Sequence, residues 1–289
     1  MLLALASASA ADFWSHWGDG KGEISTYTLV QPRYGGLHPG GDAVLIFVTE
    51  DFSWSERVKA DPGEHPSDDV RPVLKLNALR EFDTGIYTYD VMTSVFVRVD
   101  AGDGMAAGDP IKITFSAQEW CGMVYDELTM GPGRVHLVSH TYFDSDTRPP
   151  TTHKVPADVV YGDELPILVR GLRGDLLARG ATITVPYFPA RMADRFAHVA
   201  PKLTTARIAR AASPETITVP AGTFSVERWS VTPDGGDTTV YFVEVAEPRR
   251  IVAWETSAGE RAELRGGDRL PYWQLHNPGD RGERARLGL

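Results

Sequence analysis

From Glu23 to Leu264 the sequence is a ladder of short runs rich in β-branched and aromatic residues, separated by turn signals. No other feature restricts the fold as strongly, because period-2 runs bounded by Gly, Pro and Asp pack as half-buried strands. Glu23 to Gln31 alternates, with Ile24, Thr26 and Thr28 against Ser25, Tyr27 and Leu29, and stops at Pro32. Ala43 to Thr49 is entered through Pro39-Gly40-Gly41. Val73 to Phe82 and Ile86 to Val99 form a predicted hairpin around Asp83-Thr84-Gly85. Ile111 to Met130 and Arg134 to Phe143 flank Gly131-Pro132-Gly133. Five more runs close the series: Thr216–Val219, Phe224–Val231, Thr238–Val245, Ile251–Thr256 and Arg261–Leu264. Short connections favour antiparallel neighbours. The expected fold is therefore mainly β, a large antiparallel open or partly closed barrel of about ten to twelve strands with one or two helices.

The helices are placed by different signals. Phe13, Trp14 and Trp17 share one helical turn that ends at Gly18-Asp19-Gly20-Lys21-Gly22. Asp163-Glu164-Leu165-Pro166 reads as a helix start with an Asp cap and Pro in the first turn, and Leu168, Leu172 and Leu176 would give it one apolar edge. Arg191 to Ala212 suits helix and strand equally, and Asp100 to Pro110 is a Gly/Asp loop without EF-hand spacing. One domain is expected over 12–278, with the polar, Pro-rich residues 144–152 as the place where two β domains would divide. Residues 279–289 read as a polar, mobile tail.

Composition narrows the partners. A net charge of −10 disfavours nucleic acid and anionic membrane surfaces. The single cysteine, Cys121, excludes an internal disulfide and a Cys-only metal site. At 289 residues the chain can build a core without staples. Residues 1–11, MLLALASASAA, are apolar then small, and Ala8-Ser9-Ala10 fits a signal-peptidase site, so they are expected to be a signal-peptide remnant and the protein periplasmic or secreted. No run is long enough to predict a membrane span.

Two resemblances bear on identity. Thr216-Ile217-Thr218-Val219-Pro220-Ala221-Gly222-Thr223-Phe224 resembles the hallmark of an uncharacterised bacterial family of exported proteins, in which a V-P-A-G-T-F turn precedes three strands. Phe13-Trp14-Ser15-His16-Trp17-Gly18-Asp19-Gly20 and Gln118-Glu119-Trp120-Cys121-Gly122 are similar to a related group of hypothetical proteins. That resemblance implies a fold like the periplasmic lipoprotein carriers, a curved half-barrel crossed by a helix, and it carries over no functional residues. Some relatives bear a Maf septum-formation-inhibitor label, and Leu5-Ala6-Ser7-Ala8-Ser9 is similar to the Maf opening. Ala10, Ala11 and Asp12 follow where Pro and basic residues belong, and strands do not alternate with helices, so the label is unsupported.

Candidate site residues come from the hairpin over 111–143. If Ile111 to Met130 is one strand, odd-numbered residues share a concave apolar face, placing Phe115, Glu119, Cys121, Met123 and Tyr125 around a ligand. A carboxylate there would have a raised pKa. The plainer alternative is that Glu119 would pair with an arginine and Cys121 would be a small buried hydrophobe. His136 and His140 would lie about 13 Å apart at about 3.3 Å per residue, too far to share a metal. Trp14, His16 and Trp17 form a second ligand-binding candidate, set against the plainer reading of an aromatic plug. No metalloprotease, nucleophile-elbow, Walker or dinucleotide motif occurs, and no cofactor is implied.

The expected function is a cell-envelope binding module that holds an apolar or amphipathic, lipid-like ligand, or an envelope protein, on a concave sheet. The alternatives are a hydrolase using Glu119 with a histidine, and a non-catalytic interaction scaffold.

Overall fold

The computed structural model describes residues 10–289. Residues 1–9 of the expected leader lie outside the described residues, and its last two, Ala10 and Ala11, open helix α1 (Ala10–Trp17). The first series of strands comprises β1 (Gly22–Arg33), β2 (Gly36–Ser53), β3 (Val58–Lys59), β4 (Val70–Thr84), β5 (Tyr87–Arg98), β6 (Pro110–Glu119), β7 (Gly122–Gly131), β8 (Arg134–Thr141) and β9 (Thr151–Lys154). The second comprises β10 (Val160–Tyr161), β11 (Thr182–Phe188), β12 (Thr204–Arg210), β13 (Glu215–Val219), β14 (Gly222–Pro233), β15 (Thr239–Glu244), β16 (Ile251–Thr256) and β17 (Arg261–Leu270). Helices α2 (Leu165–Val169) and α3 (Arg191–Phe196) belong to the second half.

The protein is mainly β, and the strands form one large sheet. From β1 it runs one way through β2, β4, β5, β6, β7 and β8 to β9. The other way it runs through β17, β16, β15, β14, β12 and β11 to β10. β3 and β13 are short hairpin partners of β2 and β14. Every pairing is antiparallel except β10 with β11. The sheet is not closed by hydrogen bonds among the described residues. Its two ends nonetheless approach, since His153 of β9 sits edge-on to Phe188 of β11 with ring centroids 5.6 Å apart.

Alternation places the core. Leu74, Leu76 and Ala78 of β4, Val91, Val95 and Val97 of β5, and Ile113, Phe115 and Ala117 of β6 face inward and are buried. Side chains from outside the sheet fill the concave space: Phe13 and Trp17 from α1, and Leu165, Ile167 and Val169 from α2. Full burial of a side chain such as Phe115 contributes roughly 1.5–3 kcal/mol.

The expected run from Ile111 to Met130 is two strands, with a tight hairpin at Trp120 and Cys121. The turn reverses parity. Phe115 points into the core with Val124, Asp126 and Leu128, whereas Met123, Tyr125 and Glu127 face outward. The helix start at Asp163 is also only partly as expected. A 3-10 turn spans Gly162–Glu164, α2 ends at Val169, and Asp163 Oδ2 accepts the N–H of Arg191 instead of capping its own helix. Arg191 to Ala212 contains α3 and then β12, and residues 144–152 hold a 3-10 turn and the start of β9. The C-terminal segment is packed against the sheet. Leu287 joins Ile24 and Leu270 in a small outer cluster, and the Thr26 hydroxyl donates to the Leu287 carbonyl. A sequence with few apolar residues hid this, because the apolar part of the docking rests on Leu287 and Leu289, with Arg286 pairing to Asp268.

Candidate functional site

On the outer face of the sheet the register assembles two contrasting rows. Val44 lies opposite Leu79, Leu79 opposite Met92, and Met92 opposite Ser116. Two residues further along each strand, Asp42 lies opposite Glu81, Glu81 opposite Asp90, Asp90 opposite Gln118, and Gln118 opposite Met123. Successive outward residues on a strand are about 7 Å apart, so an apolar row and an acidic row run side by side. Together they floor a groove of about 380 Å³, walled by Arg284 and Leu289 of the C-terminal segment.

Its electrostatics are unbalanced. Asp42 is held by Arg265 at 2.9 Å. Among the described residues neither Glu81 nor Asp90 has an ion-pair partner, and both are exposed. Like charges directly opposite on paired strands destabilise by roughly 0.2–1 kcal/mol. The Asp42–Glu81–Asp90 row accepts that penalty twice, beside an exposed Met92 and Met123. A cation with an apolar body would neutralise the row and cover the methionines.

The candidates from the sequence are dispersed. Phe115 is core and Met123 lines the groove from outside. Glu119 Oε2 accepts the backbone N–H of Cys121 at 2.6 Å, on the β6–β7 tip, where the thiol is exposed. Hydrogen bonding to Glu119, and the carboxylate's charge, push the Cys121 thiol above its usual pKa. Tyr125 donates to Glu127 at 2.8 Å and stacks on His140, and partial burial with the Glu127 contact raises its phenol pKa. These positions therefore do not converge on one concave site, because the hairpin at Trp120 reverses their parity.

At the opposite end of the barrel, Phe13 and Trp17 are buried plug residues, and Trp14 is partly exposed. Arg269 donates to His16 Nε2 at 2.7 Å, and His16 stands 3.9 Å from Glu23. Beneath them Arg170 pairs with Glu23 at 2.7 Å, donates to the carbonyls of Pro248 and Arg249, and lies over Phe47. Burial tends to raise the Glu23 carboxyl, but the Arg170 charge, the hydrogen bonds to His16 and Arg170, and the Arg269 charge together outweigh it and hold the pKa at about 2.

Two more buried charge clusters fix the interior. Arg191 bridges Asp126 at 2.7 Å and Asp194 at 2.6 Å, and Arg210 pairs with Glu227 at 2.6 Å. Glu164 has its Oε1 on the Tyr161 N–H, and burial raises its pKa to about 8. Sequence reasoning missed all of these: Asp126 lies 65 positions from Arg191, and the nearer partners, Arg191 with Asp194 and Tyr161 with Glu164, look like ordinary surface residues until the fold buries them. The one visible signal was arginine (Arg170, Arg173) inside an otherwise apolar segment.

Among the described residues no group of three or more His, Cys, Asp or Glu is placed to hold a metal ion. No helix among them is long and apolar enough to cross a membrane.

No protein-family model matches the chain, and no curated protein is similar to it. Among solved structures it is similar to a beta-barrel-like protein of a domain of unknown function, DUF1849, from Brucella abortus. The two are 10% identical, the match covers 86% of this chain and 97% of that one, and the TM-score is 0.46.

Proposed function

We propose that the protein is an exported, non-catalytic binding module whose ligand is an amphiphile with a cationic head, taken on the outer face of the sheet. The observation that carries this reading is the pairing of the apolar row Val44–Leu79–Met92 with the acidic row Asp42–Glu81–Asp90 in one groove. The apolar body of the ligand covers Leu79, Met92 and Met123, and the head sits at Glu81 and Asp90. From β2 to β7 the floor crosses about 19 Å at the usual strand spacing, room for an extended alkyl chain. The concave face is an unsuitable alternative, because α1 and α2 fill it with Trp17, Leu165 and Ile167. The hydrolase reading has little support, since the Glu119 carboxylate is turned to its own hairpin backbone.

Calorimetric titration tests the reading with three twelve-carbon probes below their micelle concentrations: dodecyltrimethylammonium, dodecyl sulfate and dodecyl maltoside. Binding should favour the cationic probe, and the E81Q/D90N double variant should weaken it several-fold, as expected for two charge contacts worth about 0.5 kcal/mol each. Equal affinity for all three probes would overturn it. Export is proposed on the apolar start and Ala8-Ser9-Ala10 alone. Amino-terminal sequencing of the native protein should find Ala11 or Asp12, and a product that keeps Met1 would sink the claim.

A further inference from the structure

Among the described residues, one end of the barrel carries the most exposed large apolar side chains. Ile86 (82% exposed) lies on the β4–β5 tip, Trp120 (73%) on the β6–β7 tip, and Tyr142 (76%) just beyond β8. Tyr34 (64%) and Leu37 (59%) lie at the β1–β2 tip. These tips touch one another. Trp120 lies 6.3 Å from Tyr87, whose hydroxyl donates to that of Tyr34, and Tyr34 shares a 2.6 Å hydrogen bond with Tyr89. Tyr142 covers Gly122 so closely that a Cβ there would meet its ring at 2.6 Å. Leu37 likewise crowds Gly259, on the β16–β17 turn.

The rim is also held rigid. Arg33 lies 4.4 Å from the rings of both Tyr34 and Phe196. Tyr34 adopts φ +54 in a turn where Gly35 follows at +74. That left-handed position favours Asn or Gly, and a bulky aromatic there is a conformational outlier. An aromatic kept exposed and strained at a hairpin tip points to a role outside the fold.

We propose that this rim docks on a zwitterionic lipid bilayer. The apolar groups protrude from separate hairpins and form neither a groove nor a strand edge for a protein segment. Trp and Tyr over Ile and Leu match the headgroup boundary, where rings with polar tips are favoured. Charge selects the lipid. Asp83 and Asp144 are exposed beside the tips, and the chain carries a net charge of −10, so an anionic surface and a second copy are both repelled. This inference is independent of the groove and its ligand.

Co-sedimentation of the full chain with phosphatidylcholine vesicles, without added ligand, tests the proposal. The wild-type protein should partition to the vesicles, and I86S/W120S/Y142S should lower the partition coefficient about tenfold or more, given the apolar area each side chain would bury. The three positions are exposed, so the variant should melt as the wild type does. Replacing a third of the lipid with phosphatidylglycerol should weaken binding. Absence of wild-type binding, or equal binding by the variant, overturns the proposal. So does a dimer in light scattering that the variant abolishes, which would assign the rim to a second copy. E81Q/D90N should bind vesicles as the wild type does, so failure of the groove reading leaves this result intact.

Discussion

Arg170 stands with its guanidinium 2.7 Å from the Glu23 carboxylate, both side chains buried, at a sequence separation of 147. The Glu23 carboxyl is held at about 2, below its ordinary 4.5, so the stability it contributes is present above pH 4.5 and is lost as pH falls towards 2. The loss is at most about 3 kcal/mol. Urea midpoints at pH 6, 4 and 3 should trace it. R170M leaves the carboxylate buried without its partner and should cost about 3–5 kcal/mol at neutral pH. The gap between variant and wild type should shrink below pH 4.

Glu164 gives a gradient of opposite sign. Burial raises its carboxyl from 4.5 to about 8, with Asp109 and Asp163 adding and the Tyr161 N–H opposing. Its contribution is therefore complete below pH 4.5 and fades as pH rises towards 8. Asp163 and Asp194, each raised to about 6 chiefly by burial, act in the same direction. Thermal stability should peak under mildly acidic conditions. E164Q, which mimics the protonated acid and can still accept the Tyr161 N–H, should flatten the decline in melting temperature between pH 5 and 8.

Cys121 should react with charged and apolar thiol reagents at similar rates in the absence of denaturant, because the thiol is exposed on a hairpin tip. Glu119 raises the thiol pKa, so E119Q should increase the thiolate fraction and speed labelling at pH 8. Reaction limited by unfolding would contradict the β6–β7 turn.

The turn after β13 needs Gly222. Val219 pairs with Gly222 across Pro220 and Ala221, and Gly222 has φ +134. G222V should destabilise by roughly 1–3 kcal/mol through backbone conformation, since the nearest atom to an added Cβ is 3.8 Å away, in Phe224. A urea midpoint equal to the wild type's would count against it.

What could be read in advance was local. Alternation in Glu23–Gln31 and Val73–Phe82 located β1 and β4, and the Pro220–Ala221 turn was placed correctly because Pro and Gly act on their own backbone. Trp120-Cys121 carried no turn signal, so β6 and β7 merged and the residues of β7 were assigned to the wrong face. One missed turn moved Met123 and Tyr125 to the opposite face, as a period of two requires, and left Cys121 on the turn itself. Thr182–Phe188, now β11, contains Pro186 and went unseen as a strand. The groove was illegible for a different reason. Asp42, Glu81 and Asp90 look like ordinary surface charges until the register of three strands aligns them.

The pairing of β1 with β17 has a topological consequence. Starting at β10, the order of the main strands across the sheet is their order along the chain to β17, then from β1 to β9, with β3 and β13 as side branches. Apart from the parallel β10–β11 pair, the strand order is that of a circularly permuted meander, broken in mid-sheet. Its central ladder joins Gly22 to Leu270 and must wait for nearly the whole chain. A gene rearranged to begin in residues 155–159, with the present ends fused by a linker, would leave every main ladder between neighbours in sequence. Such a chain should fold faster than the natural one at similar stability, because closing long loops no longer precedes its central contacts.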